Sequence, residues 1–451
     1  MGFTSLGFLL FFPLVFIGYL LMPRRMRAVW LLAASYLFCA SFGPGAVLAL
    51  LMSTLVTYLG GIGIETYHEE RSKRRVLGAV VLLHVAFLSF FKYNRMNLLL
   101  PVGISFYTFQ AIGYLADVYR GETQAERSLL RFALFQAFFP KLVQGPIERS
   151  GNLLAQIRDL EKREVWDVER IREGGLLLLW GLFQKLMIAD RIAIPVNAVY
   201  SQFGAFGGVE ILLATVLYAF QIYCDFAGYT NIARGVASVC GFELLENFRR
   251  PYLADSVQDF WRRWHLSLSA WLRDYLYIPL GGNRKGKLRK YVNLMITFLV
   301  SGIWHGTGFH FLLWGGLQGL GQIFDIRTWK LPRWVKQVLV FAFVDVSWMV
   351  FRVNSLGDLK GMLKILVTDF HLKDFRGMQL GKLEWALLFL GILLVVAKDI
   401  LNEKGFSFRT WILKQDWPVR AVIYTGLVGA IVILGVYGAA YDTSGFLYTQ
   451  F

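Results

Sequence analysis

The chain has 451 residues, 56% of them hydrophobic and 16% aromatic, with a net charge of +16. That composition excludes an ordinary soluble domain and marks an all-α, multi-pass membrane protein. The positive charge does not indicate nucleic acid as a partner, because the basic residues form short clusters between apolar runs rather than one stripe.

Apolar segments recur from Leu6 to Tyr437, so residues 1–451 are expected to form one membrane domain embedded in the lipid bilayer. The first run, Leu6 to Met22, lacks a basic leader or a cleavage site and reads as a retained span. It ends at Arg24, Arg25 and Arg27, a cluster that belongs in the cytoplasm and puts the N-terminus outside. The next basic cluster, Arg71 to Arg75, lies on the same side, so Val29 to Ile64 is predicted to be a hairpin turning near Pro44. Val76 to Phe91 then goes out, and Leu98 to Val118 returns with an irregular start or kink at Pro101 and Gly103.

Leu129 to Val143 is apolar but too short to span, which predicts a re-entrant or interfacial helix. It opens a cytoplasmic segment, about 127–172, that is dense in both charge signs toward its end and lies along the membrane. Gly174 to Val199 goes out and Val209 to Ala227 returns, carrying Asp225 at its end. A carboxylate there is costly, and an ion pair with an arginine, or a helix N-terminus, is its simplest stabilisation. Cys39, Cys224 and Cys240 show no metal or disulfide spacing and read as packing residues.

Trp261, Trp264, Leu268, Trp271 and Tyr275 recur at helical spacing, with Arg262, Arg263, Ser269 and Arg273 off that stripe. Tryptophan, tyrosine and arginine favour the membrane surface, so this predicts a helix in or just under the headgroups. His265 alone reads as a residue filling a hydrogen-bonded place on it. Arg284, Lys285, Lys287, Arg289 and Lys290 form a cytoplasmic turn, and Tyr291 to Ile303 climbs from it into the membrane. The 15 steps from Lys290 to His305 amount to roughly 22 Å of helix, which puts His305 deep in the core. Gly302, Gly306 and Gly308 interrupt the helix there, and such a turn at depth needs a protein-lined or watery cavity. The chain returns through Phe309 to Phe324; Val338 to Val350, Glu384 to Val396 and Ala421 to Tyr437 complete ten to twelve crossings and leave the C-terminus outside.

A deep histidine can act as a general base on a hydroxyl, as a metal ligand or as a proton relay. A metal role is disfavoured, since His305 and His310 are a poor same-face pair with no His-Glu-x-x-His pattern nearby. The base is favoured over the relay, which in a transporter is more often joined by intramembrane carboxylates.

The ordered motifs Leu100 to Gln110, Asp117 to Gly121, Gln144 to Arg149, Tyr223 to Tyr229, Asp259 to His265, Trp271 to Arg284 and Gly302 to Gly306 resemble those of the membrane-bound O-acyltransferases, in their bacterial alginate O-acetylation branch. The resemblance implies a multi-span fold with re-entrant or interfacial helices around a central funnel, a catalytic core of about 220–324, and a place in the bacterial cytoplasmic membrane. His305 matches the catalytic histidine and His265 the family's other prominent histidine. Trp304, Arg262, Arg263, Trp264, Asp274, Asn283, Arg284 and Asp225 become candidates for donor handling or tunnel lining. The resemblance further implies a cytoplasmic thioester donor, acetyl-coenzyme A or an acyl carrier protein, with no permanently bound cofactor or metal. The acyl group would leave on the outer face, to a polysaccharide or an extracellular acyltransferase partner. Asn231 stands where many relatives carry an aspartate, and Arg249-Arg250 replaces smaller residues before Pro251-Tyr252.

Overall fold

The computed structural model describes residues 1–93, 100–324 and 326–437, and among them every regular element is helical. A helix satisfies its own backbone groups, the condition for crossing hydrocarbon. The start of the expected 98–118 stretch and the C-terminal residues 441–451 lie outside the described residues.

The chain divides into two compact units, Met1–Leu178 with Tyr229–Glu246, and Leu179–Gly228 with Asn247 onward. In the first unit, α1 (Leu6–Leu21), α2 (Arg27–Ala40) and α3 (Pro44–Thr66) follow one another, with the expected reversal before Pro44. α4 (Glu70–Tyr93) and α5 (Ile104–Arg120) come next. α5 starts after Gly103, whose φ is 73° and where a Cβ would lie 2.1 Å from the Leu142 carbonyl oxygen, so only glycine fits.

The apolar stretch after Arg127 is short, as expected, but it is broken into α6 (Leu129–Ala137) and α7 (Phe139–Leu142), and residues 132–142 are buried in protein rather than laid on a surface. Two polar groups explain why. The Lys141 ammonium reaches the Gln136 carbonyl at 2.7 Å and the Gln110 side chain. The Glu148 carboxylate accepts from the Leu245 N–H and the Asn152 amide, each at 2.7 Å. Burial pushes the Glu148 carboxyl up to about 7. α8 (Ala155–Arg158) lies in the charged segment.

The boundary between units falls within α9 (Val168–Leu182) and again within α11 (Gly208–Val239). Between them a π-helical stretch, Phe183–Ala189, leads into α10 (Asp190–Ser201). The second unit continues with α12 (Val257–Trp261), α13 (Leu266–Leu272), a π-helical turn at Arg273–Tyr277, α14 (Gly286–His305) and α15 (Phe309–Ile323). α16 (Arg333–Arg352), α17 (Leu356–Thr368), α18 (Lys382–Glu403), α19 (Phe408–Leu413) and α20 (Trp417–Leu434) complete it. Its core is dominated by aromatic side chains, with Phe260, Trp264, Trp314, Trp348 and Phe351 fully buried.

Among the described residues five helices, α3, α4, α11, α16 and α20, are long and apolar enough to cross a membrane. α1 is apolar but has only 16 residues, while α14 and α18 are long but carry charge near their ends. Large apolar side chains stay exposed along α1 and α20, among them Leu6, Leu10, Leu14, Val422 and Ile433, as on helices with lipid on one side.

Candidate active site

His305 is the last residue of α14 and is buried. The helix stops because Gly306 is extended and the chain turns within a few residues into α15. The two helices then approach closely: a Cβ on Gly302 would lie 2.3 Å from the Phe311 carbonyl oxygen, and one on Gly315 2.5 Å from that of Phe298. This contact fixes α14 against α15 and thereby fixes where the imidazole sits. The turn between α14 and α15 thus falls at Gly306 and Gly308, while Gly302, expected to interrupt the helix, lies inside α14 and serves its packing.

Aromatic rings box the imidazole. Trp304 lies 4.6 Å away, Trp314 5.0 Å and Phe351 5.2 Å, all three edge to face. Trp314 in turn stacks on Trp348 at 6.0 Å. A buried polar chain holds the box together: the Trp261 indole N–H donates to Gln318 Oε1 at 2.9 Å, and Gln318 Nε2 donates to Ser347 Oγ at 2.6 Å. Gln318 therefore ties α12, α15 and α16 behind the ring. It was missed in the sequence, although a glutamine inside an apolar run was the available signal.

Residues 261–275 are not one helix. α12 ends at Trp261, α13 begins at Leu266, and His265 between them has φ 44° and ψ 55°, the left-handed region. The backbone of 247–249 pairs with this segment: Arg249 N–H donates to the Arg263 carbonyl at 2.9 Å and Leu266 N–H to the Asn247 carbonyl at 3.0 Å. The stripe packs inside the protein, with Trp261, Trp264, Leu268 and Trp271 buried. Trp264 packs against Phe248, Phe260 and Trp348, so its role is in the aromatic core.

His265 is 1% exposed and stands edge-on to Phe226 at 4.6 Å. Among the described residues neither ring nitrogen has a hydrogen-bond partner. Its segment lies outside the candidate spans, and burial pushes the imidazole down to about 3, so the ring is neutral at physiological pH. The hydrogen-bonded place expected from sequence is therefore not what the described residues provide: His265 is a buried polar group without a protein partner.

The other candidates fall into separate settings. Arg262, Asn283 and Arg284 are exposed, and Asp274 pairs with its neighbour Arg273 at 2.7 Å. Arg263 bonds Asp259 at 2.8 Å and both oxygens of Glu403 at 3.0 and 3.2 Å. Glu403 also receives Arg250 and Arg333, each at 2.9 Å. These cations, Arg263 foremost, hold its carboxyl below the ordinary range. Asp225 pairs with Lys185 at 2.7 Å, and Lys185 also holds Asp190 at 2.8 Å. The partner is thus a lysine on the π-helical stretch, where an arginine or a helix N-terminus was expected. Glu403 and Lys185 had no local sequence signal. His310 lies against Phe311 at 4.2 Å, and no set of three His, Cys, Asp or Glu side chains among the described residues could hold a metal ion.

An imidazole in an aromatic box can shuttle a proton between two reactants while excluding bulk water, and a neutral second histidine can offer one donor and one acceptor. Residues 125–344 match the sequence profile of the membrane-bound O-acyltransferase family. The chain is 34% identical to a probable alginate O-acetylase of Pseudomonas putida, with all of both chains covered. It is 31% identical to a peptidoglycan O-acetyltransferase of Helicobacter pylori, over 81% of this chain and 79% of that one. With a teichoic acid D-alanyltransferase of Streptococcus thermophilus it shares 26% identity over 69% of this chain and 79% of that one.

Proposed function

The chain belongs to the membrane-bound O-acyltransferase family, and we propose that this enzyme passes an acyl group, acetyl first of all, from a cytoplasmic thioester across the bacterial cytoplasmic membrane to a cell-envelope polysaccharide or to an extracellular partner that acylates one. The observation that supports the reading is His305 itself: a buried imidazole at the end of a helix whose basic start lies roughly 22 Å away. That depth suits a base met by a long pantetheine arm from the cytoplasm and by an acceptor hydroxyl from outside.

In the proposed step, His305 takes the proton of the acceptor hydroxyl as its oxygen attacks the thioester carbonyl. The tetrahedral intermediate collapses to the new ester and expels the thiolate, which takes the proton back from the imidazolium and leaves as a thiol. The aromatic box excludes water, which would otherwise compete as the acceptor. His265, neutral, offers a hydrogen bond to the donor, and the basic residues Arg262, Arg284 and their neighbours face the anionic portion of coenzyme A or of a carrier protein. Both chain termini lie outside in this reading, and residues 1–451 work as one functional unit with its catalytic part in about 220–324. The names of the relatives make alginate-like glycans and peptidoglycan the acceptors to try first.

The test is transfer of radiolabelled acetyl from acetyl-coenzyme A, and separately from an acetylated carrier protein, by purified protein in proteoliposomes. Wild type is expected to transfer label and His305→Ala to lose it. A folded His305→Ala that transfers label at the wild-type rate would falsify the base assignment. A His305 that serves only transport would instead leave no acyl product with either donor.

A further inference from the structure

We propose that Asn247 is a positioning residue for the acyl transfer, acting through His265; this rests on the reading that His265 meets the donor. Two features of His265 need a cause. A non-glycine residue in the left-handed region is disfavoured in the free chain and persists only where its surroundings fix it. A buried imidazole with both nitrogens unsatisfied is costly as well, and a phenyl ring would fill the same space against Phe226 without that cost.

Asn247, itself fully buried, supplies the fixing contacts. Its backbone carbonyl accepts the Leu266 N–H at 3.0 Å, and its side-chain Oδ1 accepts the Ser267 N–H at 3.2 Å. These are the two residues that follow His265, so one asparagine holds both amides that open α13. Upstream of His265, Arg249 N–H holds the Arg263 carbonyl. The ring is thus held from both sides in a conformation its own backbone disfavours, with its nitrogens left for a ligand. Removing Oδ1 frees the Ser267 amide, lets residue 265 relax toward ordinary helix and turns the imidazole away.

The experiment is a double-mutant cycle on thioester-dependent acyl transfer by the full chain in proteoliposomes. It compares wild type, Asn247→Ala, Asn247→Asp, His265→Gln and Asn247→Ala with His265→Gln, with the donor concentration varied. Asn247→Ala should lower kcat/KM for the donor by about 10- to 100-fold. Asn247→Asp keeps an acceptor oxygen for the Ser267 amide and should recover most of that loss. The double variant should be no worse than His265→Gln within about threefold, because both changes remove one interaction. Multiplying effects in the double variant, or wild-type kinetics in Asn247→Ala, overturn the positioning role. If Asn247→Ala does not fold, Asn247→Asp decides: loss of activity in that variant without change in its melting temperature also overturns it. Absence of turnover in wild type with both donors refutes the acyltransfer reading, and this proposal with it.

Discussion

Gly302→Ala should nearly silence the enzyme while leaving it assembled. The added methyl carbon would lie 2.3 Å from the Phe311 carbonyl oxygen, and ordinary contact begins at 3.4 Å, so α14 and α15 must part by about 3.4 − 2.3 = 1.1 Å. A backbone oxygen cannot swing aside as a side chain can. The displacement falls between His305 on one helix and Trp314 on the other, which pack at 5.0 Å. An error of about 1 Å in the placement of a catalytic group costs on the order of 100-fold in rate, or about 2.7 kcal/mol of barrier. Gly316→Ala is the control on the facing helix α15, because its Cβ would meet nothing nearer than Leu299 Cδ2 at 4.0 Å. The assay is histidine-dependent label transfer with the two variants matched for amount, detergent and melting behaviour. A folded Gly302→Ala within threefold of wild type would refute the claim that this contact sets the position of His305. Equal loss in Gly316→Ala would refute it too.

Lys185→Met should strip two buried carboxylates of their shared cation and destabilise the protein by about 3–5 kcal/mol; adding Asp190→Asn and Asp225→Asn should recover much of that in thermal unfolding, and a Lys185→Met protein as stable as wild type would show that the cation is not needed. For Glu148 the folded carboxyl is raised above its unfolded value, so its contribution to stability is present below the unfolded pKa and fades as pH rises toward about 7. Melting curves of wild type should therefore fall between about pH 4.5 and 7 more steeply than those of Glu148→Gln, and parallel curves would show that this group does not set the slope.

What could be read from the sequence was the local pattern. Apolar runs and basic clusters gave the early hairpin, and the glycines beside His305 announced the turn between α14 and α15. The break at His265 was hidden, because Trp261, Trp264, Leu268 and Trp271 keep helical spacing across it. A tertiary contact from Asn247 overrides that periodicity, and no window around residue 265 contains it. Lys185 escaped notice for the same reason, lying on a different helical stretch from Asp225. α17 was not read as an element at all, and α11 runs beyond the Val209–Ala227 stretch because its later residues pack in protein and need not be uniformly apolar.

The Glu403 cluster bears on how the protein is made. Arg263 precedes its carboxylate by 140 residues, and Arg250 leaves the ribosome earlier still. At ~5–20 residues per second of synthesis, that interval lasts roughly 7–28 s. During it the loop before α12 is already made while its counter-charge is not. The carboxylate that ties these arginines to α16 arrives with α18, one of the last helices to emerge. A chain halted after α17 would carry His265, His305 and the whole α14–α15 turn, yet Arg250, Arg263 and Arg333 would have nothing from α18 to close on. Closure of this ion cluster is thereby coupled to near-completion of the polypeptide.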